Sequence, residues 1–160
     1  MRIIIRSVGK AAAGEEGALA ARYLKRAEQF GRSFGVTKVD IREIAESRAR
    51  SAAERKMAEA ALLAPEAGSR QVLVALDQSG RNLSSEAFAG LLEQWREAGK
   101  ESVTFVIGGA DGLAPGLITA ADHVLSLGAA TWPHLLARAM LLEQIYRAFT
   151  ILTGHPYHRA

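Results

Sequence analysis

Apolar positions along this chain fall into two habits: short unbroken runs, and longer stretches where they recur every three or four residues. Residues 2–6, RIIIR, continue to Val8 and predict a short buried strand that Gly9 closes. Over 15–30, Leu19, Tyr23, Ala27 and Phe30 keep helical spacing. VTKVDI at 36–41 alternates apolar with polar residues, as a half-buried strand does. Residues 46–63 are rich in alanine and charge; they predict a helix by propensity, stopped by APEAGS. QVLVAL at 71–76 and SVTFVI at 102–107 are nearly continuous apolar runs, which suit a parallel sheet covered on both faces. Between them DQSGRN reads as a turn, after which Ser84 or Ser85 caps a helix to about Ala98, with Glu86 near its positive end. GGADG then leads to a short helix after Pro115, a strand HVLSL at 123–127, and a last helix from near Pro133 to about Leu152.

Strand and helix thus alternate five times. This predicts an α/β fold: a mostly parallel sheet with helices on both faces, most simply one domain over residues 1–160. Ligands of such sheets bind beyond the carboxyl ends of the strands. Three loops therefore become candidates, after Leu76, after Ile107 and after Leu127.

Composition narrows the chemistry. The chain has no cysteine, so neither a disulfide framework nor a thiolate zinc site is available. The apolar run in MRIIIRSVGK is too short for a signal peptide, and no stretch approaches ~18 apolar residues, so a soluble cytoplasmic protein with no membrane partner is expected. The net charge of +3 is unevenly placed: residues 1–70 carry 14 Lys/Arg against 9 Asp/Glu, and residues 71–160 carry 6 against 8. On charge alone a solvated helical surface is the simpler reading; contact with a polyanion is the other.

FVIGGADGL invites a phosphate-loop reading and fails it. The glycines stand at 108, 109 and 112, not as G-x-G-x-x-G, and no Gly-Lys-Ser/Thr follows. What remains is a bend with little side-chain bulk, either a plain strand-to-helix turn or a place where a ligand meets the main chain. LGAATWPH at 127–134 is a second such bend, with Gly128, Ala129 and Ala130 closed by Trp132 and Pro133. Two bulk-free loops after neighbouring strands would line a flat slot for an adenine ring, with Leu76 packing its face. Close packing of backbone on backbone, without a ligand, is the alternative. The last helix is apolar around much of its circumference and predicts burial on more than one side, hence a homodimer. Glu143 and Arg147 are spaced to stabilise it.

FVIGGADGL, then LSLGAATWPHLLARAMLLEQIYRA, then the terminal GHPYHRA together resemble the RlmH-type methyltransferases. These belong to the SPOUT superfamily of knotted α/β enzymes and methylate N3 of a pseudouridine in bacterial 23S rRNA. The resemblance covers the whole chain, including its length and its RIIIRSVGK opening. It is most specific in the final 60 residues and weakest over residues 10–70. Ala110 stands where the family often has proline. The resemblance implies a C-terminal trefoil knot, S-adenosylmethionine as cofactor, a homodimer with its site near the subunit boundary, and 23S rRNA as partner, presented by the assembled ribosome. Carried over residue by residue, it implies cofactor contacts at Leu76, Gly108, Leu127, Gly128, Ala129, Ala130, Thr131 and Trp132.

N3 of a uracil-type ring is a poor nucleophile until its proton leaves, so the site must hold the ring, assist deprotonation and stabilise charge on the flanking oxygens. The tail has groups for this. Tyr157 would stack on or hydrogen-bond the base, His158 would accept a proton, and Arg159 would stabilise a carbonyl oxygen or grip a phosphate. Arg138, one turn from the small-residue loop, is a fourth candidate. The competing reading of the tail is a segment docked at a dimer interface for stability. No metal is expected: Pro156 separates His155 from His158, and no third ligand is evident. Two rival functions stand beside the methyltransferase. One is a non-catalytic ribosome- or RNA-binding module that keeps the knotted fold; the other is a nucleotide-phosphate enzyme with Asp111 holding magnesium, which lacks the lysine such sites use.

Overall fold

The computed structural model describes residues 1–10, 14–65, 68 and 70–157. Its elements are β1 (Arg2–Val8), α1 (Glu15–Gly31), β2 (Lys38–Ile44), α2 (Ala52–Leu63), β3 (Gln71–Asn82), α3 (Ser85–Glu97), β4 (Ser102–Ile107), α4 (Pro115–Ala120), β5 (His123–Ser126) and α5 (His134–Leu152). The five strands form one parallel sheet in the order β2-β1-β4-β3-β5. The continuous apolar run SVTFVI takes the centre and is buried at every residue, whereas the alternating run lies in β2, at an edge.

Helices cover both faces. On one, α1, α3 and α5 pack through Ala27, Phe88, Leu92, Leu142, Ile145 and Phe149 against Ile3, Ile5, Val74 and Phe105 of the sheet. On the other, Leu63 of α2 and Leu117 of α4 cover Val8, Ala75 and Val106. The inward alternation along β1, β3 and β4 feeds both cores, which is why these strands read as unbroken apolar runs.

Two sequence expectations are corrected. The helix expected from residue 46 begins only at Ala52. A capping box sets this start: Ser51 Oγ accepts from Glu54 N–H at 3.2 Å and Glu54 Oε2 accepts from Ser51 N–H at 3.0 Å. Residues 46–51 instead fold over α2, where Ser47 N–H donates to buried Glu59 at 2.9 Å. The turn expected at DQSGRN is strand: β3 runs on to Asn82. Residues 74–76 pair with 123–125, and 81–82 then pair with 125–126 after a shift in register. Between these pairings Gly80 lies on the β5 backbone, so close that a Cβ would stand 2.6 Å from Leu125 N and C. Only glycine permits that close approach at the register shift.

Most of the apolar circumference of α5 is covered within the chain. Ala139, Leu141, Leu142, Ile145, Tyr146, Ala148 and Phe149 are all buried by the sheet, α1 and α3. The apolarity of this helix therefore does not by itself require a second chain. Among the described residues, no helix is long and apolar enough to cross a membrane.

Candidate active site

Register brings the candidate loops together. Leu76 of β3 pairs with Ile107 of β4 on one side and with Leu125 of β5 on the other. The glycine bend and the small-residue bend leave strands that flank β3, rather than strands that neighbour each other as expected from sequence. Leu76 sits between them. A cleft of about 470 Å³ opens there, lined by Leu76, Gly108, Leu127, Gly128, Ala130, Thr131 and Trp132 among others. Of the eight implied cofactor contacts, only Ala129 is outside this lining; it is exposed on the same loop. Ile107, Leu113 and Leu125 make the floor apolar, and Lys56, Asp77, Asp111, Ser126 and His134 bring polar groups. The volume falls in the range of a small-molecule site.

Both bends are held by hydrogen bonds to their own main chain, from main chain in the first and from side chains in the second. In GGADG, Gly112 N–H donates to Gly109 C=O at 3.0 Å, with Gly112 at φ +82°. A Cβ on Gly108 would stand 2.6 Å from Gly112 C and 2.8 Å from Leu113 N. The glycine is thus required by closure of the bend on itself. In the second bend Gly128 takes φ +110°, and Ser126 Oγ both accepts from Gly128 N–H at 3.2 Å and donates to Gly128 C=O at 2.8 Å. The Trp132 indole N–H donates to Leu127 C=O at 3.2 Å and leaves the ring 42% exposed at the rim. At the foot of α5, His134 packs on Gly9, where a Cβ would stand 2.3 Å from Nε2.

Asp111 does not fit the magnesium reading. Arg55 donates to both its oxygens, Nε at 2.7 Å and Nη2 at 3.1 Å. These hydrogen bonds hold the carboxyl below its ordinary range, with a smaller push from the charge of Lys56. Among the described residues no group of three or more His, Asp or Glu stands ready for a metal.

The catalytic candidates are placed elsewhere. Arg138 lines no part of the cleft; it is 1% exposed and its Nη1 donates to Glu43 Oε1 at 2.9 Å, joining α5 to β2. Tyr157 also lies off the cleft. Its ring packs 4.6 Å from Tyr146, Arg147 stacks over it at 5.0 Å, and its hydroxyl donates to Glu143 at 3.1 Å. Burial raises its pKa well above the ordinary value. His155 packs edge-on against Phe30 at 4.8 Å and accepts from Tyr157 N–H. His158 and Arg159 lie outside the described residues. A second concavity of about 520 Å³, lined by Leu19, Tyr23, Leu83, Met140, Glu143 and Gln144 among others, opens on the α1/α3/α5 side.

Sequence reasoning missed Lys56, Asp77 and His134 as cleft residues. Asp77 directly follows Leu76, and His134 directly follows Pro133, so strand-end geometry had a signal for both. Lys56 had none, since a lysine in an alanine-rich helix reads as solvated surface.

A parallel α/β sheet with a nucleoside-sized cleft between main-chain-lined bends defines a class: proteins that hold a small ligand at the carboxyl ends of their strands. Residues 1–158 match the family described as "Predicted SPOUT methyltransferase", and the chain belongs to that family. It is similar to proteins named ribosomal RNA large subunit methyltransferase H. The one from Rhodopseudomonas palustris strain BisB5 is 52% identical over 160 residues, with 100% of both chains covered. That from Bradyrhizobium sp. strain ORS 278 is 49% identical, covering 100% of this chain and 99% of its own. The crystal structure of a probable methyltransferase from Bordetella pertussis Tohama I shares the fold, with a TM-score of 0.53 at 14% identity over 92% of this chain and 95% of that one.

Proposed function

We propose that this chain is an S-adenosylmethionine-dependent methyltransferase that methylates N3 of a pseudouridine in 23S rRNA of the large ribosomal subunit, acting in the cytoplasm as one knotted domain. The observation that carries this reading is the convergence of Leu76, Gly108 and the 127–132 bend on one cleft. The names of its full-length relatives supply the substrate class.

The cleft fits the cofactor by its chemistry. Apolar walls suit an adenine ring, and bends without side-chain bulk let main-chain groups read its edge. When bound, S-adenosylmethionine supplies a sulfonium-activated methyl group. The chain's own residues do the rest: Leu76 and Leu127 pack the nucleoside, and the bends orient it and exclude water. The pairing of Ser126 with Gly128, and of Gly112 with Gly109, fixes the shape of both bends.

Tyr157 is the anchor of the tail in this reading, and His158 and Arg159 are the contacts to the acceptor base. Homodimerisation would bring a tail to a neighbouring cleft, and the half-apolar concavity beside α1 and α5 offers surface for it. Exposed basic residues such as Arg48 and Arg50 would meet rRNA phosphates, presented by the assembled ribosome.

Calorimetry with S-adenosylmethionine against ATP tests the cofactor, and mass analysis of 23S rRNA from a deletion strain tests the acceptor. Binding of ATP alone, or an unchanged rRNA mass, contradicts the proposal. His158→Ala should lower the methylation rate by about 10²-fold, in the range of general-base loss, with cofactor affinity kept. Unchanged turnover would remove His158 from the mechanism.

A further inference from the structure

The cleft holds a cation with no task yet. Lys56 is the only lysine or arginine on its lining among the described residues. It sits near enough to Asp111 to favour that carboxylate. Yet Asp111 is committed to Arg55, whose remaining Nη1 reaches the carbonyls of Ala49 at 3.1 Å and Arg50 at 3.2 Å. Lys56 itself makes no hydrogen bond or ion pair among the described residues. It is half-buried, whereas Arg48 and Arg50 are exposed and better placed for a long polyanion. Its ammonium is therefore available to an anionic group of a ligand in the cleft.

The ligand proposed for this cleft divides in the same way as the cleft does. Its nucleoside suits the apolar part around Leu76 and Leu125, and its amino-acid end carries a carboxylate that is ionised at neutral pH. We propose that Lys56 is the residue that binds the amino-acid carboxylate of the cofactor. The inference rests on the S-adenosylmethionine reading and adds to it the group that distinguishes the whole cofactor from a bare nucleoside. Arg55 is a positioning residue in this scheme: it donates to both Asp111 oxygens, so that Lys56 is left without a hydrogen-bonded carboxylate.

The test is calorimetry on the full chain with two ligands, S-adenosylhomocysteine, which keeps the amino-acid end, and 5′-methylthioadenosine, which lacks it. Lys56→Ala should weaken S-adenosylhomocysteine about tenfold, the value of a charge-assisted hydrogen bond, and leave 5′-methylthioadenosine unchanged. Lys56→Arg should recover most of the loss, and equal melting temperatures confirm that all variants are folded. An equal loss for both ligands overturns the assignment. So does unchanged S-adenosylhomocysteine affinity, and if rRNA binding alone weakens, the cation belongs to the RNA. Failure of the unaltered protein to bind either ligand would instead overturn the cofactor reading, and this inference with it.

Discussion

The bends after β4 and β5 hold their shape with short-range hydrogen bonds to their own main chain, whereas the C-terminal tail holds its place with side chains docked on distant residues. Gly112 closes its bend through a backbone hydrogen bond to Gly109, and Gly128 through its own N–H and C=O on the Ser126 hydroxyl, both at positive φ angles. Tyr157 and His155 are fixed instead by stacking on Tyr146 and Phe30 and by the Glu143 carboxylate. A shape closed by such short-range bonds leaves its inner surface open to a ligand. A side chain docked on its own helices has spent its polar group there. The difference separates bends whose inner surface lines a cleft from a tail whose described end is anchored on α1 and α5.

Substitutions can break this contrast at three points, in falling order of effect. Gly108→Ala places a Cβ against the Gly112 backbone, which has no flexible end to yield. It should abolish measurable S-adenosylmethionine binding and cost about 3 kcal/mol in urea unfolding, at the upper end for overpacking. Retained affinity would show that the bend does not shape the cleft. Arg138→Met removes a buried guanidinium from the half-buried Glu43. The expected cost is about 2–3 kcal/mol of stability with unchanged cofactor affinity, the reverse of what a cleft residue would show. Tyr157→Phe deletes one hydrogen bond to Glu143, worth about 1 kcal/mol.

That last variant has a pH signature. Burial, followed by the nearby Tyr23 hydroxyl and the charge of Glu143, raises the Tyr157 pKa in the fold. The folded chain therefore holds this proton more tightly than the unfolded chain does. The stability it contributes is complete below about pH 10, the ordinary tyrosine value, and is lost as pH rises above it. Chemical denaturation across pH 9–11 should show a steeper alkaline decline for the unaltered protein than for Tyr157→Phe. Parallel profiles would mean that the hydroxyl is not held as described.

What could be read from sequence follows the same division. RIIIR, QVLVAL and SVTFVI announced a parallel sheet because strands buried on both faces need no polar alternation. Strand ends then located Leu76 and both bends, since their geometry is local. DQSGRN misled because its residues favour turns, while the pairing with β5 that keeps them extended is a tertiary contact that needs the close approach at Gly80. The surroundings of Arg138 and Tyr157 were not legible for a related reason. Their partners, Glu43 and Glu143, are set by packing: one stands on a distant strand, the other in the middle of α5. The capping box Ser51-x-x-Glu54 was legible, and would have set the start of α2.

A crystal structure grown with S-adenosylhomocysteine would locate the cofactor outright. Its adenosyl group should lie between the 108–112 and 127–132 bends, against Leu76. Density in the concavity between α1, α3 and α5, or at neither place, would contradict that placement.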